Sequence, residues 1–183
     1  MLAGLTACPV RVEPPPDEET PAPDVRPPAE EPTPTPQEEQ VDPDEVPTTP
    51  TQMEMDLFDE VNSRRTENNL PPLEFDETAY RAAKYHSMNM ARQGFFAHES
   101  PAGQTPTDRY ELFDFDFSNR IWGENLATNL NLPNPIEMTA DGWMESEGHR
   151  KNILEERYDY AAIGIEQNEE GYYFYTQKFW GDL

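Results

Sequence analysis

Apolar residues in this chain recur first at helical spacing and later at strand spacing. Leu57, Phe58 and Val61 begin one helical face, and Pro71-Pro72 closes it, predicting a helix over about 53–69. Asp76 is placed to cap a second helix running to Gln93, with Gly94 just past its end. Its inner stripe is Ala79, Ala82, Ala83, His86 and Met90, and such small residues predict close packing on a neighbouring layer. Thr105-Pro106-Thr107-Asp108 predicts a short third helix to about Phe113. Asp114 to Asn119 alternates aromatic and polar residues and fits either strand or loop. Asn134-Pro135-Ile136-Glu137 has the same helix-start chemistry plus a capping-box Glu. Its apolar stripe is Ile136, Ala140, Trp143 and Met144, with Gly148 as its expected end. The period then changes. Ala161–Asn168 and Tyr172–Trp180 read as two strands joined at Glu169-Glu170-Gly171, an antiparallel hairpin. Helices first and a hairpin last predict an α+β domain, its sheet covered by helices.

No such periodicity exists before Met53. Residues 1–52 hold 14 of the 20 prolines, no aromatic residue, and 12 acidic against 2 basic side chains. A segment of that kind cannot bury enough apolar surface to offset its ordering entropy. Residues 9–52 are therefore expected to be a disordered Pro/Glu-rich linker, reaching roughly 140 Å at most at polyproline rise. The net charge of −24 excludes nucleic acid as a partner, because phosphate binding needs a basic stripe. No apolar run is long enough to span a membrane. Leu5-Thr6-Ala7-Cys8 resembles a bacterial lipobox, in which signal peptidase cuts before the cysteine and its thiol is lipidated. Residues 1–8 would then be a partial signal segment, lacking a basic n-region, and membrane contact is expected only through Cys8.

Three polar clusters carry the candidate chemistry, and they are expected to lie in loops that converge on one cleft. The first is Phe95-Phe-Ala-His98-Glu-Ser-Pro101, the second Trp122-Gly123-Glu124-Asn125-Leu126, the third Trp143-Met144-Glu145-Ser146-Glu147-Gly148-His149-Arg150. A loop histidine near a carboxylate suits a ligand contact or proton shuttle. The plainer reading is a histidine that ties its loop down, and for His149 an imidazole answering a helix end. Glu124 is a candidate partner that fixes a histidine's tautomer, or an acceptor for loop N–H groups. His86, on the helical stripe, reads as a core histidine. Trp122 and Trp143 are candidates for an apolar wall of the cleft.

Taken in order, these pieces resemble the CAP family of cysteine-rich secretory, antigen 5 and pathogenesis-related proteins, in its bacterial extracytoplasmic branch. The matching residues are Val61-Asn62-x-x-Arg65 with Leu70-Pro-Pro-Leu73, Phe95 to Gly103, Gly123-Glu124-Asn125-Leu126-Ala127, Trp143 to Leu154, and Tyr175-Thr176-Gln177-x-Phe179. The resemblance makes 53–183 the CAP domain and implies a three-layer α-β-α sandwich, with a cleft lined by two His and two Glu. His98 and Glu124 match that set directly. The family's second Glu falls at Ser146 and its second His at Phe174, so His149 and either Ser146 or Glu145 are the expected replacements. His98, His149 and Glu124 form a candidate weak Zn²⁺ or other divalent site. HExxH and Gly-x-Ser-x-Gly are absent from the sequence, and Cys8 is the single thiol. The expected function is an envelope-exposed domain binding a small molecule, lipid, peptide or cell-wall material. A hydrolase, metal-assisted or built on Ser100 or Ser146, and a structural or adhesive module are the alternatives.

Overall fold

A four-stranded sheet, ordered β1-β3-β4-β2, separates two helical layers. The computed structural model describes residues 40–130 and 132–183, so the expectations for Cys8 and for the linker up to Glu39 lie outside the described residues. The strands are β1 (Glu74–Phe75), β2 (Arg120–Leu130), β3 (Tyr160–Gln167) and β4 (Tyr172–Asp182). The helices are α1 (Gln52–Glu67), α2 (Glu77–Gln93), α3 (Pro106–Glu111), α4 (Pro135–Glu145) and α5 (Glu147–Ile153).

Side chains alternate across a strand, and the register decides which residues share a face. Trp122, Glu124 and Leu126 of β2 lie opposite Trp180, Lys178 and Thr176 of β4. That face meets α2 and α3, where Ala79, Ala82, Tyr85 and Tyr110 pack with Ala162 and Trp180. Ile163, Ile165, Tyr175 and Phe179 face the other way and pack with Leu57, Val61, Ala140, Trp143 and Ile153. The result is the expected α-β-α sandwich. The small-residue stripe of α2 is explained at Gly164, where an added Cβ would stand 2.3 Å from the Lys84 backbone nitrogen. Helix and strand approach so closely that only glycine fits.

Several expectations needed correction. Thr51 and Glu54 form the capping box that starts α1, and residues 41–46 before it are not a free linker. Val41 and Val46 are buried against α2, and the Val41 N–H donates to Asn89 Oδ1 at 3.0 Å. The packed chain therefore begins by Val41 rather than at Met53. Asp114 to Asn119, open to either strand or loop from the sequence, is loop. The helix after Asn134 has no side-chain cap and breaks at Ser146, whose ψ of 121° is extended, so Gly148 lies within α5 instead of ending α4. The largest revision is β2. The Gly-Glu-Asn cluster expected to be a loop is the middle of an 11-residue strand.

β2 is an edge strand, and exposed edges must be covered. Its outward carbonyls at Trp122, Glu124 and Leu126 accept hydrogen bonds from Tyr158 Oη (2.8 Å), Asn152 Nδ2 (3.2 Å) and Trp143 Nε1 (3.1 Å). Side chains from α4, α5 and the segment after them thus substitute for a missing strand. A Cβ at Gly123 would lie 2.5 Å from the Tyr158 hydroxyl, so this close cover also fixes that glycine.

Candidate functional site

The site is built across the middle of this edge strand. Glu124 points to the α2–α3 side, and its carboxylate is almost completely buried. Oε1 accepts from His98 Nδ1 (2.8 Å) and Arg109 Nη2 (3.1 Å), while Oε2 accepts from Arg109 Nη2 (2.9 Å) and Lys178 Nζ (2.6 Å). Four contacts saturate a carboxylate. Burial alone would push its pKa up, but Lys178, the His98 hydrogen bond and Arg109 outweigh that and hold it well below the usual range. Glu124 is thus a fixed anion.

Arg109 and Lys178 are themselves fully buried. Arg109 also donates to the His98 carbonyl at 2.8 Å and the Gln104 carbonyl at 3.1 Å, pinning the loop that carries the imidazole. Lys178 Nζ donates to the Pro106 carbonyl at 3.0 Å and sits 4.8 Å from the centre of the Tyr110 ring. Burial lowers the Lys178 pKa to about 8, with Glu124 opposing the shift. His86 is a core residue, as expected. Its Nε2 pairs with the Ala97 carbonyl at 2.9 Å, and burial, then Arg109, push its pKa down to about 3. That neutral ring ties the His98 loop to α2.

The His98 ring is 56% exposed while its Nδ1 is held by Glu124. An ionised carboxylate can only accept, so Nδ1 carries the proton, and in the neutral ring Nε2 is a free acceptor. His149 arrives from the opposite helical layer. Its carbonyl accepts from Asn125 Nδ2 (3.2 Å), which also donates to Gln177 Oε1 (3.2 Å), while Asn125 Oδ1 accepts from Asn152 (2.9 Å). The His149 pKa is lowered by partial burial and then by His98. The edge strand therefore anchors, at Glu124 and Asn125, the segments that carry two histidines 51 positions apart in the chain.

Other candidates fall elsewhere. Trp143 is buried core, its indole N–H donating to the Leu126 carbonyl, so it is no wall of a cleft. Trp122 is 39% exposed on the Glu124 face, edge-on to Phe117. Glu145 is an exposed end of α4 and Ser146 the half-buried break between helices; among the described residues neither is bonded to His98, Glu124 or His149. Phe174, where the family's second histidine would fall, is buried with Met90 and Leu126. Arg109 and Lys178 escaped the sequence reading. Lys178 had one available signal, since strand alternation puts it on the same face as Thr176 and Trp180.

A divalent ion does not fit the expected three-ligand set. Both Glu124 oxygens are occupied by cationic donors, and among the described residues no three His, Cys, Asp or Glu side chains converge to hold a metal. Glu124 orients an imidazole; it is not free to ligate.

The chain is an α-β-α sandwich whose edge strand carries a buried, cation-locked glutamate holding a half-exposed imidazole. The chain belongs to the CAP, or cysteine-rich secretory protein, family, whose pattern matches residues 58–179. It is 31% identical over 135 residues to YkwD of Bacillus subtilis and 33% identical over 130 residues to the membrane protein YlbC of the same organism. These alignments cover 74% and 70% of this chain but 49% and 34% of those proteins, so the chain spans half or less of their length. Among solved structures, an extracellular SCP-domain protein from Bacillus anthracis is similar at TM-score 0.61 and 31% identity, over 78% of this chain and 44% of that one. An outer surface protein of Borrelia burgdorferi shares the fold at TM-score 0.62 and 20% identity, over 74% of this chain and 97% of that one.

Proposed function

We propose that this chain is an extracytoplasmic binding domain whose ligand lies over His98 and His149 at the edge of the sheet. The observation that carries the reading is the half-exposed His98 ring, fixed at Nδ1 by a buried, ionised Glu124. Three buried charges are committed to aiming one imidazole nitrogen at solvent, which a merely tied-down histidine would not need. The outer-surface and extracellular relatives support a location outside the cytoplasm. The lipobox-like Cys8 adds attachment to the envelope, testable by mass spectrometry of the mature N-terminus.

Hydrolysis is less well supported. A general base must be able to take a proton near neutral pH, and Glu124, held ionised by two cations, is a poor one, so a hydrolase would have to use a histidine. The Ser100 hydroxyl is buried and accepts the Gln104 N–H at 3.1 Å, closing its own turn. The test is binding of the full chain to cell-wall material, phospholipid vesicles and peptides, beside the His98→Ala/His149→Ala double variant. Loss of binding to one of these supports the reading. Equal binding by both proteins would leave a structural or adhesive module.

A further inference from the structure

Two buried cations face one buried anion beneath the His98 ring. Arg109 and Lys178 are each fully buried, and Glu124 is the carboxylate that answers both. Of the other titratable groups packed beside this centre, His86 is kept neutral by burial and by Arg109, and Tyr110 by burial. The surplus is one positive charge beneath the His98 imidazole. Charges of this kind are poorly screened, unlike the exposed Glu99, Glu145 and Glu147 on the surrounding surface. A divalent cation placed at the imidazoles would meet that surplus with no carboxylate to spare. An anion would meet it favourably, received by an imidazole N–H as the ring takes up a proton.

We propose that the cleft selects an anionic group, a carboxylate or phosphate, and not a divalent metal. The inference rests on the proposed binding site at His98 and His149 and names the chemistry of its ligand. Lys178 and Arg109 then act as specificity-determining residues from below the floor, without touching the ligand. The acidic balance of the whole chain argues the other way only at long range, where water and salt screen it.

The test uses the full chain and two simple probes, acetate and inorganic phosphate, followed through the imidazole ring proton resonances and by calorimetry. Acetate tighter than phosphate identifies a carboxylate ligand; the reverse order identifies a phosphate. Lys178→Met, which leaves the Arg109–Glu124 pair neutral, is expected to weaken anion binding about tenfold or more. Lys178→Gln removes the same charge while keeping an N–H donor for Glu124 and is expected to weaken anion binding likewise, which keeps the idea testable if Lys178→Met does not fold. Zinc is expected to leave the His98 and His149 resonances unmoved. Saturable zinc binding that disappears in His98→Ala/His149→Ala, with neither anion binding, overturns the proposal while sparing the binding site. Anion binding lost in the double histidine variant yet unchanged in Lys178→Met overturns it equally. Anion binding that survives loss of both histidines removes the site itself.

Discussion

The domain contains two buried lysine–glutamate centres, and their differences separate a pin from a binding site. In the first, Glu54 of α1 meets Lys84 of α2 at 3.1 Å, and Lys84 also reaches Glu166 at 3.1 Å. Glu54 Oε1 accepts the Ile165 N–H of β3 (2.8 Å), while its Oε2 accepts from Thr51 and from the Tyr80 hydroxyl. Lys84 also donates to the Ile165 carbonyl. Three elements are bound together, every group is answered within the protein, and the charge balance is negative. In the second, Glu124 carries two cations and one imidazole that emerges into solvent, and the balance is positive. The first centre closes on itself, whereas the second ends in a nitrogen that none of the described residues occupies.

If this comparison is sound, damage to the two centres should differ in kind. Glu124→Ala leaves Arg109 and Lys178 facing each other unpaired, and breaking a buried ion pair costs about 3–5 kcal/mol. We expect the upper end of that range in urea unfolding, with loss of ligand binding even at temperatures where the fold persists. Glu54→Ala should cost nearly as much, since it strands Lys84, Tyr80 and a backbone N–H, but the remaining folded protein should bind normally. A binding defect there would erase the distinction. Gly123→Ala drives a methyl toward the Tyr158 hydroxyl and should cost about 1–3 kcal/mol by overpacking, read as a shift in midpoint denaturant concentration. His98→Ala should change stability by only about 0.5 kcal/mol, because the ring is half exposed, yet abolish binding. A large loss of stability would make His98 a structural tie.

Stability against pH offers a further check. His86 has a folded-state pKa of about 3, below its unfolded value, so it binds more protons when unfolded. Stability should therefore fall as pH drops below about 6.5. The depressed carboxyl of Glu124 adds a second loss as pH falls below about 4.3. His86→Gln should flatten the first part of the curve and leave the second. An unchanged curve would show that His86 is charged inside the fold.

How much was readable beforehand follows from how each element announces itself. α2 was legible to the residue because Asp76 caps it, Gly94 ends it in a left-handed conformation, and its small stripe has helical period. The β3–β4 hairpin was legible through strand alternation and its turn. β2 was not, because the middle of the strand is buried on both faces and its central Gly-Glu-Asn looks like a turn. Glu124 is tolerable in a strand only through cations supplied by α3 and β4, and Gly123 only through a tyrosine 35 positions later. Those are tertiary causes, invisible to local pattern. The same holds for Arg109, one more arginine on a short helix until the fold turns it inward. His98 was legible by type and loop context; His149 lies within α5 and not in the expected loop, and the bonds that tie both segments to the edge strand could not be foreseen.

The protonation pattern of the His98 ring tests the central claim most directly. A long-range nitrogen–proton spectrum of the full chain near neutral pH should show Nδ1 bearing the proton and Nε2 with a free lone pair, and Glu124→Gln should disturb that assignment. A ring protonated at Nε2 and indifferent to Glu124→Gln would contradict the account, because Glu124 would then be aiming nothing.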